Sequence, residues 1–393
     1  MSLIFGFVLL NFAAHKNTVD FSEFYGAAQM VREGVGAKLY DLGIQEQFQS
    51  RIASVHAFFL RPPFETLIFL PFTYVGYVGA YALWTATSLA ILAVVAALIE
   101  SHTKIGMALT QYTRVHADLG LILVVFLTFA PTTTCLSIGQ DSIFILLIYT
   151  LAFVLLRRGA EFQAGCVLAL GLFKFHLIVP FMVILLIRKK WPAIKGFAMT
   201  ASLLVLASIA VSGPGVLVEY PRVLFFNRTH WQQMGFQPRF TPNIRGFLYL
   251  LFGGKLPALV YGALIAIFSA WAIWWSARNW RQDHFELSFS ASVVATFLVS
   301  FHLYTYDLTV LLLPVSIVCG ELVQRGRLFV ESTTLNVVLI VLFLPPVHIF
   351  LLTQEIYALM FLPIVVLFVV IVRLANTESL LREDARDTAQ RGT

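Results

Sequence analysis

Apolar runs of membrane-helix character follow one another nearly from end to end of this chain. No soluble core hides that much apolar surface in so many consecutive stretches, so the chain reads as an all-α polytopic membrane protein. Charged residues make up 12% of its 393 residues, against about 25% in soluble domains. Mean hydropathy is +0.83. A transmembrane barrel needs short segments of alternating polarity; stretches such as 203–211 and 364–372 do not alternate. In such a chain the net charge of +6 carries no message about nucleic acid. The placement of the positives does carry one.

Taken as helices, the apolar runs are 1–14, 77–99, 119–131, 140–156, 163–173, 175–188, 195–212, 257–277, 286–301, 307–321, 333–350 and 356–373, about twelve crossings. Segment 64–76 is apolar but short and interrupted by Pro71, so it reads as a half-inserted entry to the next helix. With the N-terminus inside, Lys104, Arg114, Arg157, Arg158, Arg188, Lys189, Lys190, Lys195, Arg278, Arg281, Arg325 and Arg327 all fall in inner loops. The short outer loops 132–139, 302–306 and 351–355 have no Lys or Arg, which is the positive-inside pattern. Both termini are then cytoplasmic. The first run lacks the basic start and cleavage site of a signal peptide and reads as a membrane helix. It offers about 13 apolar residues where a span needs about 20, so a few residues are expected to precede Met1.

The membrane domain covers 1–375, and a polar tail, 376–393, is expected to be disordered. Two long segments face out, 15–63 and 213–256. The first reads as two amphipathic helices lying along the bilayer surface, with Phe24, Ala27, Ala28 and Val31 on one face and Ile44, Phe48 and Ile52 on the other's. Gly34 and Gly36 separate them. The second is rich in aromatic and basic residues: Trp231, Phe236, Phe240, Arg222, Arg228, Arg239 and Arg245. The lone sequon, Asn227-Arg228-Thr229, is a weak pattern. Cys135, Cys166 and Cys319 show no disulfide or metal spacing and read as small buried side chains.

Five stretches hold residues capable of chemistry at the outer face. Asp20 follows the first apolar run; it is either a plain helix N-cap or a reactive carboxylate, with Glu23, Tyr25 and Arg61 as neighbours in support. Lys174 interrupts an apolar segment, which is expensive for a cation unless it snorkels or serves a ligand; His176 is two residues on. His302 and Asp307 share an outer turn, His302 to bond a phosphate or sugar and Asp307 to orient it. Gln140 could reach a ligand, while Asp141 reads as a helix-start carboxylate. Arg239 and Arg245, beside aromatics, suit a phosphate or sugar ring, or else lipid headgroups. No phosphate loop, zinc helix motif or Asp-x-Asp pair is present, so a nucleotide donor and a metal are unsupported.

Several motifs, in order, carry a resemblance. D-F-S-E-F-Y-G-A-A-Q-M-V-R-E-G starts at Asp20, and R-P-P-F-E-T-L-I-F-L-P-F starts at Arg61, followed by Trp84. I-G-Q-D ends at Asp141, A-G-x-x-L-A-L-G-L-F-K ends at Lys174, and H-L-Y-T-Y-D-L-x-x-L-L-L-P starts at His302. From about residue 18 to 320 the chain resembles glycosyltransferase family 87 of the GT-C superfamily. Arg61 stands where many relatives carry an aromatic residue. The resemblance implies a bacterial enzyme of the inner (plasma) membrane that takes a hexose, mannose in known members, from a polyprenyl-phosphate donor. It implies an outward-facing site, inversion, no metal and no cofactor. The family's catalytic carboxylate corresponds to Asp20.

The chemistry agrees with that expectation. A lipid-phosphate donor has a good leaving group, so one base for the acceptor hydroxyl is enough. Groups that hold the departing phosphate are also needed. Asp20 is expected to be the base; Lys174, His176, His302, Arg245, Arg239 and Gln140 to hold donor phosphate or sugar; and Glu23, Tyr25 and Arg61 to support the acceptor or the loop. The partners are then the lipid-linked donor, a lipid or glycan acceptor, and membrane lipid. The competing expectation is a transporter or flippase of a lipid-linked sugar, which needs ionisable residues deep along the helices.

Overall fold

A computed structural model describes residues 20–52, 58–226, 237–324 and 333–391. The 1–14 run, the Asn227 sequon, Trp231, Phe236, Arg325 and Arg327 lie outside these residues. Among the described residues the regular structure is helical throughout, without strands.

By length and composition six helices can cross a membrane: Tyr77–Thr103, Glu161–Ile187, Trp191–Ser212, Ala258–Arg278, Thr305–Gln324 and Tyr357–Asn376. Two bent pairs raise the number to eight. Leu119–Thr128 meets Ala130–Ile138 at 76°, and Thr333–Phe343 meets Pro345–Thr353 at 63°. Each bend has a proline cause. Pro131 and the Pro345-Pro346 pair lack an amide donor, and their rings collide with the carbonyls four residues back. Ser142–Arg157 and Phe285–Val299 are shorter apolar helices of the same bundle.

The Glu161–Ile187 run is not a rod. A straight helix of its 27 residues would set its ends about 40 Å apart. Yet Glu161 Oε1 lies 2.7 Å from the ammonium of Lys190, just past Ile187. The run therefore folds back, at the 3-10 turn Gly171–Lys174 between Glu161–Leu170 and Phe175–Ile187. Lys174 itself leaves the helical region, with φ −114° and ψ 56°. The first arm touches Trp191–Ser212 backbone to backbone. A Cβ on Gly165 would come 1.9 Å from the Ala193 carbonyl oxygen, and one on Gly196 would come 2.0 Å from that of Phe162. Close approach through small residues is a common way for membrane helices to pack.

Thr305–Gln324 is the central helix, 83% buried across its apolar window, whereas Ala258–Arg278 is 6% buried and presents Leu259, Ile267 and Trp271 outward, as a lipid-facing helix does.

The first of the two long segments does form helices, Phe21–Arg32 and Leu42–Gln49. Their apolar faces are covered by protein, not by the bilayer surface. Phe24 stacks on Phe69 at 4.6 Å, and Phe21 packs on Tyr81 and Trp84. The aromatic residues of the 64–76 segment and of Tyr77–Thr103 supply the apolar partner that was assigned to lipid. At the other end, the Phe361–Arg391 helix continues past Asn376. No Gly or Pro stands between Asn376 and Arg391 to stop it.

Candidate active site

Six stretches, 20–23, 61–65, 140–142, 174–176, 243–245 and 300–307, bring polar side chains to one end of the bundle. The first is placed by its helix. Burial of Phe21 and Phe24 against the aromatic cluster fixes the start of Phe21–Arg32, and Asp20 sits at that start. Its side chain makes no capping bond. It accepts instead from Nε2 of Gln140, at 2.6 Å. The reading of Asp20 as a plain N-cap is therefore replaced by a contact across 120 positions.

The turn that presents Gln140 is built around Gly139. Its φ is +74°, and a Cβ there would meet Phe21 Cβ at 2.6 Å. Trp84 Nε1 donates to the Gly139 carbonyl at 2.9 Å. The 130–141 turn and the Asp20 helix thus share one packed surface.

Arg61 is the hub. Its Nη2 donates to Gln140 Oε1 at 3.1 Å, and its Nη1 donates to Asp141 Oδ2 at 3.0 Å. Glu23 lies 3.7 Å and Glu65 3.6 Å from the same guanidinium, which also lies over the Phe24 ring. Lys174 is the second cation. It is 1% exposed, and its Nζ meets Asp141 at 2.7 Å, Asp307 at 2.6 Å and the Ser142 hydroxyl at 2.6 Å. Lys174 donates to Asp307 and to the Ser142 hydroxyl and is ion-paired with Asp141, so it is held among buried side chains and does not snorkel. It ties the 174 turn to two other elements. Asp141, read as a helix-start carboxylate, bridges Arg61 and Lys174 and makes no capping bond.

His176 Nδ1 lies 2.9 Å from Ser300 Oγ, and its ring is 5.4 Å from that of His302. Asn243 Nδ2 donates to the Ser300 carbonyl at 2.6 Å, and Arg245 donates to the Phe301 carbonyl at 3.0 Å. Arg245 is thus beside the histidine pair. Arg239 is not brought there: it turns to Gln237, Glu355 and the Phe240 ring. Tyr25 donates to the Val75 carbonyl at 2.8 Å and supports the loop.

Electrostatics follow from this packing. Burial pushes the Asp20 carboxyl above its ordinary range, while the Gln140 hydrogen bond and the charge of Arg61 pull the other way. Burial raises Glu23 to about 8 despite Arg61. Burial, then the charges of Arg61, Lys174 and Arg245, lower His302 to about 3, so its imidazole is neutral. Two cations, Arg61 and Lys174, face five carboxylates: Asp20, Glu23, Glu65, Asp141 and Asp307. Such a cluster is relieved by protonation of its acids: burial raises Glu65 well above its ordinary range, as it raises Glu23.

Beside the cluster is an apolar cavity of about 270 Å³. Pro62, Pro63 and Phe64, next to Arg61, form one wall. Leu172 and Phe175, flanking Lys174, form another, and Leu204, Ser208, Leu217 and Tyr220 close it.

Of the residues expected from sequence to share a site, the fold brings Asp20 to Gln140, and His176, His302 and Arg245 to one another. Sequence reasoning underrated Arg61 and Asp141, gave Asp307 only an orienting role, and missed Glu65, Ser142 and Asn243. The available signal was charge inside apolar sequence: Glu65 follows Arg-Pro-Pro-Phe and is fully buried.

The sequence model of glycosyltransferase family 87 matches residues 59–303, well over half of the chain. The matched range contains Arg61, Gln140, Asp141, Lys174, His176, Arg245 and His302 and begins after Asp20, which joins them through Gln140. No curated protein and no solved structure matches.

Proposed function

Since the chain belongs to glycosyltransferase family 87, we propose that it moves a hexose from a polyprenyl-phosphate carrier to a hydroxyl of a lipid or glycan acceptor, with inversion. Mannose is the sugar that the resemblance points to. Asp20 is the general base. As the acceptor oxygen bonds the anomeric carbon, the bond from that carbon to the phosphate oxygen breaks. Its electron pair leaves with the phosphate, and the hydroxyl proton passes to Asp20.

The observation that supports this most is the setting of Asp20: a carboxylate released from capping and held by a buried amide, in a polar cluster whose Arg61 borders an apolar cavity. A carboxyl raised by burial is a better base near neutral pH than an exposed one. Arg245 and the neutral His302 are the groups proposed to hold the phosphate as it leaves. The cavity beside Pro62 and Phe175 suits the first isoprene units of the carrier. The positive-inside pattern of the loops favours an outward-facing site in a bacterial inner membrane.

The test uses purified protein in nanodiscs with an acceptor glycolipid. Labelled hexose should reach the acceptor from polyprenyl-phosphate hexose and not from a nucleotide hexose. Transfer from the nucleotide donor alone would refute the proposed donor. Movement of lipid across a vesicle without any glycosidic bond would favour transport.

A further inference from the structure

We infer that Gln140 is the positioning residue of the reaction, holding one oxygen of Asp20 so that the other faces the acceptor hydroxyl, with Arg61 fixing which way the amide points. This rests on the reading of Asp20 as the base. It moves Gln140 out of the donor-binding set, because both ends of its amide are in use.

The orientation follows from chemistry. A guanidinium has donors only, so the atom that meets Arg61 Nη2 at 3.1 Å must be the amide oxygen. The amide nitrogen then points at Asp20 Oδ2, at 2.6 Å, where a carboxylate can only accept. The amide cannot turn over without setting donor against donor and acceptor against acceptor. Its backbone is held as well. The Gln140 N–H donates to the Cys135 carbonyl at 2.9 Å, and the Gln140 carbonyl accepts from Cys135 Sγ at 3.3 Å. The side chain is 2% exposed, so water does not compete. Arg61 is in turn anchored on Asp141, and Asp141 on Lys174. The ion chain therefore ends in an amide aimed at the base, not in a site for the donor.

Asp20 is faced by Gln140, Arg61, Glu23, Lys174 and Asp141, and by the phenols of Tyr77, Tyr304 and Tyr306. Gln140 is the group that touches it and carries no charge. Its loss changes the hydrogen bond to the carboxylate without changing the formal charge around it.

The experiment measures kcat and KM for the lipid donor across pH, for wild type and Gln140→Ala in nanodiscs. The expected result is a fall in kcat of about 100-fold, the scale of a misplaced reacting group, with KM for the donor unchanged. The acid limb of the profile should move to higher pH, since a lost hydrogen bond to the charged form raises a carboxylate. Should Gln140→Ala fail to fold, Gln140→Met keeps the length and neutrality of the side chain, removes the N–H donor, and carries the same expectation. A raised donor KM with the acid limb unmoved would make Gln140 a donor contact and overturn the inference. Unimpaired transfer by Asp20→Asn would instead remove the base on which it rests. An inactive Asp20→Asn beside an unaltered Gln140→Ala would sink the positioning role alone.

Discussion

Asp20 and Glu23 stand three residues apart at the start of one short helix and feel the charge of the same arginine under different constraints. Asp20 has a neutral donor to hold its charge; Glu23 has burial and a crowded cation. In the folded state Glu23 keeps a proton, up to about 8, that the unfolded chain releases near 4.5. Its contribution to stability is thus complete below 4.5 and is lost as pH rises towards about 8. Glu23→Gln should flatten the fall in melting temperature across that window; a slope unchanged from wild type would mean Glu23 holds no proton. Little of this was legible in the sequence. Arg61 and Asp141 are 80 positions apart, and no local spacing reports a contact of that range. The cost of a charge in an apolar context was legible, and it picked out Lys174, which the fold ties to Asp141, Asp307 and Ser142.

Among elements, the turn at Lys174 and the Gly139 turn do the joining. The 174 hairpin was legible as two apolar runs broken by a lysine, since a cation interrupts a helix through lipid. The inward docking of the Asp20 helix was not. An amphipathic pattern gives a face without naming what covers it. Lys174→Met would leave Asp141 and Asp307 without their shared cation, destabilising the fold by about 3–5 kcal/mol. The check is thermal melting in detergent, with partial recovery when Asp307→Asn is added. Melting unchanged by Lys174→Met would show that the buried triad does not hold the turn. The cavity gives a second expectation. Leu204→Trp should raise KM for long polyprenyl donors and leave a short-chain donor unaffected. Equal effects on both chain lengths would detach the cavity from the lipid.

For the molecule as a whole, membrane class was written in its apolar runs and family in its ordered motifs. Helix count was less legible, because prolines bend two spans and the Glu161–Ile187 run turns back within itself. The architecture sets a central, buried helix, Thr305–Gln324, against lipid-facing ones, and it gathers the acids and cations near its first turn. In the proposed reaction, chemistry at that end depends on a single carboxylate, Asp20, reached by both acceptor and carrier. Asp20→Asn keeps the shape and removes the base, so transfer from polyprenyl-phosphate hexose in nanodiscs is the direct measurement. The account predicts that this variant binds the carrier as wild type does and loses transfer by about 100-fold or more. Wild-type transfer by Asp20→Asn would contradict it.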